Sequence, residues 1–206
     1  MFKKLLTATL GFLLLVGSGI TIAAESAYDT INNVANQLFP KLSEEKVSIN
    51  NNEAKLKEVV KDYLMPYVDL KYAAYKVMGA NIRNTNEDQR ARFVNAFEIY
   101  IIDTYSSALG KYNNQTITID PKTTGDAKST IVNVKIKADE QVYDVAFKLR
   151  QNTKTGQWKV YDMVAEGISL LSSKQAEFNE LISKNGIDKV CDMLEKHQIK
   201  SKDAPK

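Results

Sequence analysis

Hydrophobic positions recur at a period near four through the first half of this 206-residue chain, switch to a period of two, then return to helical spacing. Tyr28, Ile31, Val34, Ala35, Leu38 and Phe39 mark a first helix that stops at Pro40. A polar connection, residues 48–52, leads to a second stripe through Leu56, Val59, Val60, Tyr63 and Leu64. Pro66 ends that helix or opens the next, because proline cannot donate inside a helix. The next runs over residues 67–78, carries Val68, Tyr72, Tyr75 and Val77, and stops at Gly79. The longest helix follows, with Thr85 as its cap and Glu87 and Asp88 in the first turn, where acids favour the helix dipole. Phe93, Phe97, Ile101, Tyr105 and Leu109 recur along it every four residues.

From Gln115 the period is two. Ile117 and Ile119 alternate with threonines; Val132, Val134 and Ile136 alternate with Asn133, Lys135 and Lys137; Tyr143, Val145, Phe147 and Leu149 follow the same rule. Turn residues separate these runs at 121–125, 138–141 and 152–156. A fourth run, residues 158–165, is apolar on both faces and predicts a covered central strand. The pattern predicts a four-stranded antiparallel meander whose apolar face needs a cover, and the long aromatic helix is the nearest candidate. Ser172 with Gln175 fits a capping box for a helix carrying Phe178, Leu181 and Ile182, which ends at Asn185–Gly186. Residues 187–198 make the last helix. The fold class is α+β.

The first 24 residues stand apart from this pattern. Lys3 and Lys4 precede an apolar run, residues 5–22, and Ala23–Ala24 lead straight into Glu25. Charged start, apolar middle and small residues before a polar restart predict a secretory signal peptide cleaved after Ala24. No cysteine follows the cut, which argues against a lipid anchor. The exported remainder, residues 25–199 with a polar tail over 200–206, is sized for one domain with a real core. It carries 26 basic and 25 acidic residues, so charge offers nothing for nucleic acid. With Cys191 as the single cysteine, stability must come from packing rather than disulfides, and Cys191 itself reads as a small buried hydrophobe.

Catalytic chemistry is hard to place. His197 is the single histidine and falls in a polar stretch, which fits a solvated side chain better than a metal ligand or a triad member. Neither a nucleophile elbow nor a phosphate-binding glycine loop is present. Asp162 and Glu166 could act as an acid–base pair beside a tyrosine, but Glu166–Gly167 reads as punctuation between strand and helix. The residues alone support an exported, non-enzymatic α+β domain; an enzyme on such a scaffold and a purely structural binding partner are the alternatives. No metal and no cofactor is expected. The facing apolar surfaces are compatible with a filled core or with a hollow one.

Several segments then resemble one known family. Pro66–Tyr67–Val68–Asp69, leading through Leu70, Lys71, Tyr72 and Ala73 to Val77–Met78–Gly79, looks like its Pro-x-Val-Asp helix and stop. Gln89–Arg90 with Phe93, Phe97 and Tyr105 resembles its long helix, and Tyr112–Asn113–Asn114–Gln115–Thr116 its entry to the first strand. The most specific match is residues 158–169, followed by Gln175, Phe178 and Gly186–Ile187–Asp188. The chain is similar in these segments to the MlaC family of periplasmic phospholipid-binding proteins, also called the toluene-tolerance family. One departure is residues 80–83, where relatives often carry an aromatic side chain.

The resemblance implies an NTF2-like cone: a curved antiparallel sheet covered by helices around an apolar cavity. It implies a soluble periplasmic carrier that moves phospholipid as cargo. The route would join an outer-membrane lipoprotein–porin complex to an inner-membrane ABC transporter with an MCE-domain subunit, maintaining outer-membrane asymmetry. On the hydrophobic pattern, the lipid wall is expected from Tyr72, Phe93, Phe97, Tyr105, Val134, Ile136, Val145, Phe147, Leu149, Met163 and Ile168. Arg83, Arg90 and Arg92 form the most concentrated basic patch and are the candidates for docking on the membrane-protein partners.

Overall fold

The computed structural model describes residues 25–44 and 52–199. The predicted signal peptide, the connection at 48–51 and the polar tail lie outside the described residues. Among the described residues, six helices and six strands follow the order read from the sequence. They are α1 (Ala27–Glu44), α2 (Glu53–Tyr63), α3 (Leu70–Met78), α4 (Glu87–Leu109), β1 (Thr116–Ile119), β2 (Thr124–Gly125), β3 (Ser129–Ala138), β4 (Gln141–Gln151), β5 (Trp158–Ala165), β6 (Ile168–Ser169), α5 (Leu170–Asn185) and α6 (Ile187–Glu195). Short 3-10 turns, Met65–Tyr67 and Gly79–Asn84, flank α3, so Pro66 opens a turn rather than ending a helix.

The sheet is antiparallel in the order β1-β3-β4-β5-β6, with β2 beside β1 on the same edge of β3. It therefore has six strands where periodicity predicts four. The two extra strands, β2 and β6, are two residues long, too short to show alternation. At Gly125, φ is +149°, and a Cβ there would lie 2.3 Å from the Ser129 carbonyl oxygen, so only glycine fits. The β5–β6 turn uses two positive-φ residues, Glu166 and Gly167, the geometry of a tight type I′ hairpin.

Two helix starts differ from expectation. Asn86 caps α4: its Oδ1 accepts the Gln89 N–H at 2.8 Å and Gln89 Oε1 accepts the Asn86 N–H at 3.1 Å, a reciprocal capping box. Thr85 is instead buried, its hydroxyl donating to the Ile82 carbonyl. Ser169 caps α5, three residues before the position that the sequence suggested.

Packing divides into three apolar clusters. The largest joins α3, α4, α5 and α6 around Phe93, Phe97, Tyr100 and Phe178. A second joins the apolar face of the sheet to Ala27 and Ile31 of α1, and a third joins the far half of α1 to α2 and the end of α4. The long helix does not cover the sheet. Its main packing partners are α2, α3 and α6, whereas α1 lies on β1, β3 and β5.

Helical layer and sheet are clasped at β5. Asp69 caps α3 by accepting the Tyr72 N–H at 3.2 Å, takes an ion pair from Arg150 at 2.9 Å, and donates its own N–H to the Val160 carbonyl at 2.7 Å. Val68 and Val160 form a parallel bridge beside it.

Candidate functional site

One face of the sheet is a continuous apolar wall. Cross-strand partners share a face in an antiparallel ladder, so the pairs Val134–Val145, Ile136–Tyr143 and Phe147–Met163 all point the same way. Val134, Val145 and Leu149 are buried; Ile136, Phe147 and Met163 keep part of their surface accessible. A register irregularity between Lys148 and Leu149 bends the wall.

The aromatic stripe of α4 splits between two environments. Phe93, Phe97 and Tyr100 are sealed among helices: their rings lie 5.9, 5.8 and 5.5 Å from Phe178, each edge-on. Phe93 and Phe97, expected in a lipid wall, therefore sit in the helical core. Tyr105, further along the same stripe, keeps a minor part of its surface accessible. Burial nevertheless pushes its phenol up to about 12, with smaller contributions from Tyr100 and Asp162.

Tyr72 stands at the clasp. Its ring meets Tyr161 edge-on at 5.2 Å, and the Arg150 guanidinium lies 4.3 Å over its face. Ile168 is 62% exposed, and with Val142 and Tyr143 it forms the exposed apolar rim at one end of the sheet. Tyr143 is the rim residue that the pattern-based list omits; its place in the same alternation as Val145 and Phe147 was the available signal.

The acid–base candidates are structural. Asp162 is buried and its carboxylate accepts from Ser169 Oγ at 2.8 Å, the Leu171 N–H at 3.0 Å and Lys148 Nζ at 3.0 Å, anchoring the start of α5. Glu166 Oε1 accepts the Asp144 N–H at 2.7 Å and ties the β5–β6 turn to β4. His197 is exposed and paired with Asp103. Cys191 is fully buried, and burial pushes its thiol up to about 11. Among the described residues no group of three His, Cys, Asp or Glu could hold a metal ion, and no helix is long and apolar enough to cross a membrane.

One buried group is unsatisfied. Tyr100 Oη has no hydrogen-bond partner among the described residues although the residue is 3% exposed. A stranded hydroxyl costs stability, so Tyr100→Phe should stabilise the protein by about 1 kcal/mol. A higher denaturant midpoint at unchanged slope is the expected readout; a lower midpoint would show a hidden partner.

The basic residues do not form an open patch. Arg92 pairs with Glu195 at 2.7 Å, Asp192 at 2.6 Å and Asp188 at 3.9 Å, all on α6, and the first two hold its guanidinium well above its ordinary value. Arg90 donates through Nε and Nη2 to the Thr85 carbonyl, bracing the turn before α4. Arg83 alone of the three is exposed without such a commitment among the described residues.

A bent antiparallel sheet with one apolar face, packed against helices and tied to them at β5, defines an α+β fold. The chain belongs to the MlaC family, whose profile matches residues 32–196. It is 35% identical over 170 residues to the intermembrane phospholipid transport system binding protein MlaC of Haemophilus influenzae, covering 81% of this chain and 79% of that one. It is 28% identical over 189 residues to the toluene tolerance protein ttg2D of Pseudomonas putida, covering 90% and 87% respectively. A phospholipid-binding protein of Ralstonia solanacearum, solved with a bound phospholipid, shares the fold at a TM-score of 0.74 and 21% identity, over 83% of this chain and 96% of that one.

Proposed function

We propose that this protein is a periplasmic phospholipid carrier, receiving and delivering lipid between an outer-membrane lipoprotein–porin complex and an inner-membrane ABC transporter with an MCE-domain subunit. The observation that carries this is the apolar face of the sheet, on which Ile136, Phe147 and Met163 keep accessible surface beside buried Val134, Val145 and Leu149. The family and the phospholipid named for its relatives support the choice of cargo. Tyr105, Ile136, Phe147 and Met163 are the wall, and Tyr143 and Ile168 the rim where the headgroup meets water.

Burying a methylene gains about 0.8 kcal/mol against water, so two chains of roughly 30 methylenes gain on the order of 25 kcal/mol. That exceeds any workable non-covalent affinity. The relevant exchange is therefore between protein and bilayer, where the difference is small. A carrier needs an interior that imitates hydrocarbon, with few specific contacts, and a flexible Met163 suits chains of varied shape.

Mass spectrometry of the organic extract of residues 25–206, purified without detergent, tests this. Phospholipid near one per protein is expected, and Met163→Trp should remove most of it by filling the wall while the fold survives. A folded, lipid-free protein would overturn the proposal.

A further inference from the structure

The back of the sheet carries a basic surface of its own. Leu149 belongs to the apolar wall, so its strand neighbours Lys148 and Arg150 point the other way, and Lys159, the cross-strand partner of Arg150, points with them. The extra residue of the register irregularity, Tyr161, is on β5, so β4 keeps its alternation. Helix α3 lies against this side and adds Lys71 and Lys76. Tyr72 joins helix to sheet: the Arg150 guanidinium lies 4.3 Å from its ring centre, Lys76 Nζ 5.4 Å from it, and the ring meets Tyr161 edge-on. Lys71 Nζ stands 5.6 Å from the Tyr75 ring centre, and Lys159 Nζ donates to the Pro66 carbonyl.

These cations outnumber their acidic partners. Asp69 pairs with Arg150 at 2.9 Å and Asp162 with Lys148 at 3.0 Å, whereas no carboxylate among the described residues pairs with Lys71, Lys76 or Lys159. Three positive charges are left over. Residues 25–206 carry 26 basic and 25 acidic side chains, so everything outside this surface is net negative. The molecule is an electrical dipole with its positive end here, and a negatively charged plane turns that end towards itself. The sequence hides the patch because its members are spread from Lys71 to Lys159.

We infer that this surface docks the protein on the face of a bilayer rich in anionic lipid. The arrangement selects a charged plane over a single anion. Lys148 and Arg150 already hold carboxylates, and Lys71, Lys76 and Lys159 each stand over a tyrosine ring or a backbone carbonyl rather than around one point. Their sum is a field, which a plane of negative charge answers and a lone carboxylate or phosphate does not. Half-buried tyrosines beside lysines suit the polar boundary of a bilayer, where ring and ammonium both find partners. The apolar wall lies on the opposite face of the sheet, so docking leaves the cargo in place. It gathers the carrier at a membrane, which goes beyond the carrier reading: it concerns where the protein waits, not what it holds.

Co-sedimentation of residues 25–206 with vesicles tests this. Binding is expected to vesicles of equal parts phosphatidylglycerol and phosphatidylcholine, and none to phosphatidylcholine alone. Raising the salt from about 0.1 to about 1 M should release the protein, because the Debye length falls from about 10 to about 3 Å. Lys71→Gln with Lys76→Gln, both exposed, should weaken binding about 25-fold, at about fivefold per charge, with bound lipid unchanged. Lys189→Gln with Lys196→Gln removes the same charge from exposed positions on α6 and its end, and should leave binding nearly unchanged. Equal loss from both pairs would overturn the inference, since net charge alone would then account for the attraction. So would failure to sediment with the anionic vesicles; capture by poly-glutamate that depends on Lys71 and Lys76 would in that case assign the surface to an acidic protein segment. Because bound lipid is measured separately, docking can fail while the carrier function stands.

Discussion

Phe178→Ala should lower stability by about 4 kcal/mol, the largest single loss expected from any side chain in the fold. Phe178 is fully buried and is the one residue whose ring meets Phe93, Phe97 and Tyr100 edge-on at once. Truncation removes apolar contact and three favourable ring geometries together. It also leaves a hole that its neighbours cannot close, because all three rings sit on the same helix, α4, and cannot move independently. Denaturant unfolding measures the loss. A cost below about 2 kcal/mol would mean that α4 shifts to fill the hole, and the helical layer would then be softer than its packing suggests. Lipid binding by the folded fraction should survive, since this cluster lies among the helices, apart from the apolar cluster on the sheet.

Asp162→Ala should cost about 3 kcal/mol. The carboxylate is buried and accepts three bonds, from Ser169, the Leu171 N–H and Lys148. Removing it strands a backbone donor at the start of α5 and leaves the Lys148 ammonium without its partner. Because α5 rests on β5 at this point, hydrogen exchange should quicken first in the opening turn of that helix. Asp162→Asn keeps one acceptor for the Leu171 N–H and should lose less. If Asp162 were instead a catalytic base, Asn would be as stable as the native residue, and a measured loss separates the two roles.

Much of the fold was legible in the sequence, but unevenly. The α1, α4 and β3–β5 runs are long enough to show their period, so their place and type are read from Tyr28, Phe93 and Val132 onward. Helix starts were read less well. Thr85 and Asn86 are both good capping residues, and the choice fell to Asn86 because Thr85 bonds backward to Ile82. The candidate site was half legible. Alternation found the sheet wall, Val134 to Met163, but the helical stripe could not say that Phe93 and Phe97 turn towards α5 while Tyr105 does not. Arg92 looked like a free surface charge because its acidic partners lie about a hundred residues further on, a distance at which the local pattern carries no signal.

The sequence by itself determined which residues are apolar, on which face of which element, and where each element begins to give way to a turn. It also determined that Cys191 would be buried and that Glu166–Gly167 would be a turn. Only the tertiary structure decided which faces meet. Burial of apolar surface is non-directional, so a stripe on α4 is equally well satisfied by helices as by a sheet. Here α2, α3, α5 and α6 took most of that stripe, α1 packed on β1, β3 and β5, and Asp69, Arg150 and Val160 tied the two layers together. That choice of partners joins residues far apart along the chain, so no single stretch of the sequence encodes it.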